Sequence, residues 1–272
     1  MRGIILAAGR GSRLNGNSAD TPKCLVRVGS RTLLERQIEA LEAAGVREIV
    51  VVTGCRAEQV RHEYGQRVTY VENPRYAETN SLYSLWMARA LLYEGFVVLN
   101  CDVLFHPVLL DDLLTSRHEN ALLLAYHEAG QPPFGEEEMK VRVRCGRVVD
   151  MSKDMAPEDA DGENLGIVKF GRAGAPDLVR MLDARVEAGG LRDWAPRAFR
   201  DFAQSRPLHA IGTRGFPWIE IDFPEDYDRA VREVLPQIER DERRPGAQVR
   251  PFHPPAGRRR LGGRRLAAVE VR

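Results

Sequence analysis

Nothing in this 272-residue chain is built to span a bilayer, because no apolar run approaches the roughly 18 to 20 residues such a helix needs. Its four cysteines (Cys24, Cys55, Cys101 and Cys145) lie far apart without a Cys-x-x-Cys pair, which argues against a zinc ribbon and against a redox switch. They read as free buried thiols in a reducing cytoplasm. Net charge is nearly absent too: 40 basic against 39 acidic side chains leave a formal +1, so the overall charge selects no class of partner. No internal repeat is visible, and in particular no hexapeptide array that would form a β-helix. The opening Met1-Arg2-Gly3-Ile4 passes straight into a short apolar strand, unlike a signal peptide, and the expected location is the cytoplasm. The length suffices for one large α/β domain or two small ones.

What is present begins at once. The apolar run Ile4-Ile5-Leu6-Ala7-Ala8 empties into Gly9-Arg10-Gly11-Ser12-Arg13-Leu14, and Pro22-Lys23 follows after a polar loop. Glycines at a strand end let backbone N–H groups approach an anion with no Cβ in the way. Arg13 and Lys23 add full positive charge to the partial dipoles of the turn. Two common phosphate loops are excluded by spacing. A P-loop requires Lys-Ser or Lys-Thr directly after its second glycine, and a dinucleotide-binding turn requires Gly or Ala where Leu14 stands.

The first half alternates apolar runs with amphipathic stretches, the rhythm of a parallel sheet with helical crossovers. Strands are expected over 3–8, 48–53, 68–72, 96–100 and 121–126. Helices are expected over 32–44, 57–64 and 81–93, each closed by a glycine (Gly45, Gly65 and Gly95). From Met139 the pattern shifts to a hairpin, 139–144 and 147–151, turning at Cys145-Gly146. A strand over 165–170, helices over 176–188 and about 194–203, a strand over 218–221 and a helix over 224–238 complete the reading. This second half extends the same sheet, giving one domain over 1–239. The segment 240–272 holds ten arginines against three acids, a net +7 that leaves the first 239 residues at −6. Rich in Arg, Pro and Gly, it has little to bury and is expected to be a disordered, solvated tail.

Two groups of carboxylates stand where ligands bind in open α/β sheets. Val97-Val98-Leu99 runs into Asn100-Cys101-Asp102 at the C-terminal end of a parallel strand. In Trp218-Ile219-Glu220-Ile221-Asp222, alternation turns Glu220 and Asp222 to one face and the isoleucines to the other. Mg²⁺ favours hard oxygen ligands, commonly one or two carboxylates plus substrate phosphates, and Asp102 and Asp222 would supply them from opposite walls.

The glycine turn with its Pro22-Lys23 closely resembles the signature of nucleotidyltransferases that activate sugar phosphates and phospho-alcohols. Further segments are similar to cytidylyltransferases acting on phosphocholine, 2-aminoethylphosphonate and related compounds. They are Asn73-Pro74-x-Tyr76, Asn80-Ser81-Leu82-x-Ser84-Leu85, Asn100-Cys101-Asp102, Glu138-Met139-Lys140-Val141, Ser152-Lys153, Gly162-Glu163-x-x-Gly166-Ile167 and Trp218-x-Glu220-Ile221-Asp222. Together they cover essentially residues 1–235. The resemblance implies a single Rossmann-like (GT-A-like) domain of the α/β class. Its mixed, mainly parallel sheet would be flanked by helices and carry a small antiparallel, substrate-facing extension.

It also implies roles. Leu6, Ala7, Ala8, Gly9 and Gly11 would line the nucleotide, with Asn80 and Ser81 near the base. Arg13 and Lys23 would clamp the triphosphate as the catalytic cations. Asp102 and Asp222 would hold Mg²⁺, with Glu220 beside them. Lys140 and Lys153 would meet the acceptor's phosphate or phosphonate, and Trp194 and Glu220 are further acceptor candidates. An aromatic face suits a quaternary ammonium, whereas a primary amine would want a carboxylate such as Glu138 or Glu220. The reaction implied is attack by an acceptor oxygen on the α-phosphorus of CTP with loss of pyrophosphate, for which none of the six histidines is required.

Expected partners are a nucleoside triphosphate, CTP first, and a small phosphorylated or phosphonate acceptor. No nucleic acid is expected, and a homodimer is compatible with the reading. Three alternatives stay open: a sugar-1-phosphate nucleotidyltransferase using UTP, dTTP or GTP; a catalytically silent nucleotide sensor or scaffold; and, disfavoured by Leu14, a nicotinamide oxidoreductase. The loop Gly130-Gln131-Pro132-Pro133-Phe134-Gly135 matches no pattern.

Overall fold

A computed structural model describes residues 1–11, 21–128 and 130–242. The first half is strand and helix in turn: β1 (Arg2–Ala7), the short hairpin strands β2 (Arg27–Val28) and β3 (Arg31–Thr32), α1 (Leu33–Ala43), β4 (Glu48–Thr53), α2 (Ala57–Tyr64), β5 (Thr69–Glu72), α3 (Ser81–Met87), β6 (Phe96–Asn100), β7 (Val103–Phe105), α4 (Pro107–Thr115) and β8 (Ala121–Tyr126). The second half carries β9 (Lys140–Arg144), β10 (Arg147–Ser152), β11 (Gly162–Phe170), α5 (Ala175–Glu187), α6 (Ala195–Ser205), β12 (His209–Gly212), β13 (Trp218–Glu220), α7 (Pro224–Arg229) and α8 (Leu235–Glu242).

Among the described residues, nine strands form one sheet in the order β5-β4-β1-β6-β11-β8-β12-β10-β9, with β11 also pairing β9. Pairing is parallel across β5-β4-β1-β6 and between β8 and β12, and antiparallel at the remaining joins, so the sheet is mixed. The parallel strands are continuous apolar runs because both faces are covered. Ile4, Leu6, Val50, Val52, Phe96 and Val98 face a core built with α3, α5 and α6. Their neighbours Ile5, Ala7, Ile49, Val51, Val97 and Leu99 face the opposite core, built with α1, α2 and α4. Phe170 stands at the centre of the first, its ring 5.4 Å from Phe96, 5.2 Å from Phe199 and 5.0 Å from Phe202. A third, smaller core joins Val28, Leu33, Leu104, Ile219, Ile221, Val234 and Leu235 behind the two-stranded ribbon of β7 and β13. No helix among the described residues is long and apolar enough to cross a membrane.

Several boundaries differ from the sequence reading. The helix expected over 81–93 stops at Met87 and tightens into a 3₁₀ turn, Arg89–Leu91. The helix expected over 224–238 is interrupted by a π-helical turn, Ala230–Val234, just before Pro236. That residue has no N–H to donate and would crowd the preceding turn, which the wider turn accommodates. β11 begins at Gly162 rather than Leu165, because Gly166 (φ +74°) and a register shift against β8 break the apparent alternation. β7, α4 and β12 were not expected. For α4 the signal was present: Pro107 follows His106, whose Nδ1 accepts from Val108 N–H at the N-terminus. α8 continues past Glu239 to Glu242, and the arginine-rich remainder of the expected tail lies outside the described residues.

Candidate active site

The C-terminal ends of β1 and β6 open into a cleft of about 350 Å³. From β1 come Leu6, Ala8 and Gly9; from the β6 end come Asn100, Cys101 and Asp102; from the start of α3 come Asn80, Ser81 and Ser84. Glu137, Met139, Lys153, Trp194, Glu220 and Asp222 also line the cleft. Thus the strand end and helix start implied for the nucleotide and the late segments implied for metal and acceptor converge on one space. Ala7 does not join them, since alternation along β1 points its side chain into the opposite core. Gly11 is not in the lining either. Its backbone is left-handed (φ +62°), and a Cβ there would meet the Lys23 Cβ at 2.8 Å, so its smallness makes room for the lysine. Arg13, with the rest of the turn from residue 12 to 20, lies outside the described residues.

The carboxylates are delivered by the β7–β13 ribbon. Glu220 pairs with Val103 and Ile219 with Leu104, and Ile221 N–H donates to the Asp102 carbonyl at 3.0 Å. This register places Asp102, Glu220 and Asp222 so that one oxygen from each lies within 4.8 Å of the others. Asp226 Oδ2 accepts from the Asp222 and Phe223 N–H groups at 3.1 and 2.9 Å, which fixes the exit of the strand. Burial, and then the charges of Asp102 and Asp222, push the Glu220 carboxyl up to about 9. Among the described residues, Asp102 Oδ1 is buried without a hydrogen-bond partner. Three crowded carboxylates, one with an orphaned oxygen, fit a hard divalent cation.

Lys23 emerges from a 3₁₀ turn, Lys23–Leu25, and its ammonium donates to Asp102 Oδ2 at 2.8 Å and to Asp222 Oδ1. Burial works against its charge, but the attraction of Asp102 and Asp222 outweighs it and holds the ammonium above its ordinary range.

At the helix start where the sequence reading expected the nucleotide, Asn80 caps α3 through its own side chain, Oδ1 accepting from Ser81 N–H at 2.8 Å. The Ser81 hydroxyl accepts from Ala195 N–H at 2.9 Å, while Asn80 N–H and Leu82 N–H donate to the Leu191 and Asp193 carbonyls. Three hydrogen bonds therefore sew the start of α3 to the segment that carries Trp194. Asn73 is fully buried and its Nδ2 reaches Thr79 Oγ1 and Ser84 Oγ, stiffening the same wall.

Among the residues expected to meet the acceptor, Trp194 is 48% exposed, and Lys153 Nζ lies 5.1 Å from its ring centre and 3.1 Å from Glu137 Oε2. Lys140 is placed differently from its expected role. It is 2% exposed, lies outside the cleft lining, and donates to the Gly135 carbonyl at 2.6 Å, because β9 turns its side chain inward beneath the 135–138 loop. Glu163 shares that interior, its carboxyl pushed up to about 7 by burial and the nearby Glu138 charge. Residues missed as site members include Tyr76, Asn100, Asn164 and Glu137. Asn100 had a readable signal in its place beside Asp102 at a strand end. Gly166 lets the main chain close on it, since a Cβ there would meet Asn100 Nδ2 at 2.5 Å. Glu137 had no signal, being one of three consecutive glutamates.

Residues 3–199 match the MobA-like NTP transferase domain, which is most of the chain. The chain belongs to this family. Like other members, this NTP transferase is a nucleotidyltransferase with a Rossmann-like α/β fold. It is 27% identical over 247 residues to choline-phosphate cytidylyltransferase of Streptococcus pneumoniae, covering 86% of this chain and 98% of that protein. It is 38% identical over 252 residues to CMP-5'-(3-aminopropyl)phosphonate synthase of Streptomyces rubellomurinus, covering 85% of this chain but only 38% of that longer protein. The solved structure of CTP:phosphocholine cytidylyltransferase from S. pneumoniae superposes with a TM-score of 0.72 at 26% identity, covering 86% of this chain and 98% of that one.

Proposed function

We propose that this NTP transferase moves a cytidylyl group from CTP to an oxygen of a small phosphate or phosphonate acceptor, releasing pyrophosphate, and that it works with Mg²⁺. The observation that carries the reading is the meeting of Lys23 with Asp102, Glu220 and Asp222 at the mouth of the β1 cleft. The choice of CTP and of a small phospho- or phosphono-acceptor is supported by what the named relatives act on.

In this reading the acceptor oxygen attacks the α-phosphorus, the new P–O bond forms as the bond to the β-phosphate oxygen breaks, and pyrophosphate leaves. The attacking oxygen is already ionised near neutrality, so the side chains position and neutralise rather than remove a proton. Leu6, Ala8 and Gly9 form the floor under the nucleoside, and Asn80 and Ser81 bound it at the helix start. Lys23, and Arg13 from the turn, compensate the triphosphate. Asp102 and Asp222, with Glu220 beside them, would hold Mg²⁺, which when bound offsets the charge of the reacting phosphates. Trp194, Lys153 and Glu137 form the wall against which the acceptor's distal end rests.

The test is pyrophosphate release measured with each of CTP, UTP, dTTP and GTP against a panel of small phosphates, phosphonates and sugar 1-phosphates. Turnover confined to CTP with a small phosphate or phosphonate is expected. Preference for another nucleotide with a sugar 1-phosphate overturns the assignment.

A further inference from the structure

Lys23 is buried more deeply than a phosphate clamp requires. Its side chain is 11% exposed, its stem passes under Gly11, and its ammonium contacts both Asp102 and Asp222. Those two carboxylates are also the pair that would hold a divalent cation. Mg²⁺ takes carboxylate oxygens at about 2.0–2.1 Å and demands near-ideal octahedral geometry. An ammonium already donating to the same two groups fills that space, and its charge repels the incoming ion. Without any cation, crowded and largely buried carboxylates would repel one another.

We propose that Lys23 is the resident counter-cation of the metal-free site, that a divalent cation must displace it from between Asp102 and Asp222, and that the displaced ammonium swings into the cleft toward the triphosphate. The lysine thereby holds the Asp102–Asp222 geometry before loading, and metal entry makes it available to substrate. A compact ammonium on a flexible four-carbon stem can make this move with its backbone fixed in the 3₁₀ turn. One cation thus serves two anionic partners in turn, which ties metal loading to triphosphate binding through a single side chain. Only the destination of the ammonium rests on the nucleotidyl-transfer reading. The competition for the carboxylates rests on the geometry alone.

The experiment uses Mn²⁺ alone, with the full chain and no nucleotide, reading free Mn²⁺ by its paramagnetic resonance signal. Lys23→Met, which keeps most of the length and removes the charge, is expected to bind Mn²⁺ at least about tenfold more tightly than the wild type. Equal or weaker binding overturns the proposal. In Lys23→Met/Asp102→Asn the gain should vanish, and a gain that survives also overturns it. Should Lys23→Met fail to fold, the wild type decides. Acetylation of Lys23 by acetic anhydride, followed by peptide mass spectrometry, should accelerate several-fold when Mn²⁺ is added, whereas an unchanged or slower rate refutes displacement. Neither readout uses CTP or an acceptor. A wrong nucleotide assignment would leave these results standing, and failure here would leave the nucleotide assignment untouched.

Discussion

Replacing Glu163 by glutamine should remove a pH dependence from folding that can be sized from the structure. Glu163 lies on β11 beside Lys140 of β9. Burial, then the charge of Glu138, push its carboxyl from an ordinary 4.5 up to about 7, with Lys140 and Lys153 pulling the other way. Between those values the folded protein keeps a proton that the unfolded chain has released. Stability therefore falls as pH rises through the window and levels off above about 7. At about 1.4 kcal/mol per pH unit, the window amounts to about 3 kcal/mol. Glu163→Gln has nearly the same shape and cannot ionise. The variant's stability relative to the wild type should thus grow by about 3 kcal/mol between pH 4.5 and pH 8. Urea unfolding followed by circular dichroism, with a chelator to keep metal off the neighbouring carboxylates, measures this difference at each pH. A difference that stays constant across the window would refute the assignment of Glu163 as a proton-retaining carboxyl.

Ser81→Ala deprives Ala195 N–H of its acceptor, at a cost of about 1–3 kcal/mol. Because Ser81 bounds the nucleoside and its hydroxyl also holds the segment that carries Trp194, steady-state kinetics should show the KM values of CTP and of the acceptor rising together by roughly tenfold, and a variant with both unchanged would refute that role. Phe170→Ala empties the centre of the α3/α5/α6 core and should lower unfolding stability by about 3–5 kcal/mol, measured in urea. Chelation should abolish pyrophosphate release and added Mg²⁺ should restore it. In Asp102→Asn the restored rate should fall by roughly a hundredfold or more, and chelator-resistant turnover would remove the metal from the mechanism.

The legible parts of this chain were those where short-range chemistry and long-range packing agree. β4, β6, β8 and α2 fall where periodicity placed them, since a strand buried on both faces has few alternatives to an apolar run. The convergence of Asp102, Glu220 and Asp222 was readable because Asp102 stands at one strand end and Glu220 and Asp222 alternate along another. Less readable were elements whose signal is tertiary. β12 (His209–Gly212) has no apolar alternation and exists because it pairs β8 in parallel register. Lys140 was expected to meet the acceptor's phosphate or phosphonate and is instead buried, because β9 turns it under the 135–138 loop. The hydrogen bonds between α3 and the 191–195 segment join residues more than a hundred positions apart, which no local pattern encodes.

The ribbon of β7 and β13 constrains how such a chain can change over evolutionary time. Its strands are three residues each, in a register where Glu220 faces Val103 and Ile219 faces Leu104, with the small third core against one side. A one-residue insertion or deletion within it would exchange the two faces, sending carboxylates toward the apolar core and isoleucines toward the cleft. Length variation among descendants should therefore gather in the flanking loops. Between Asp102 and Phe105, and between Trp218 and Asp222, substitutions can accumulate only with the residue count held fixed.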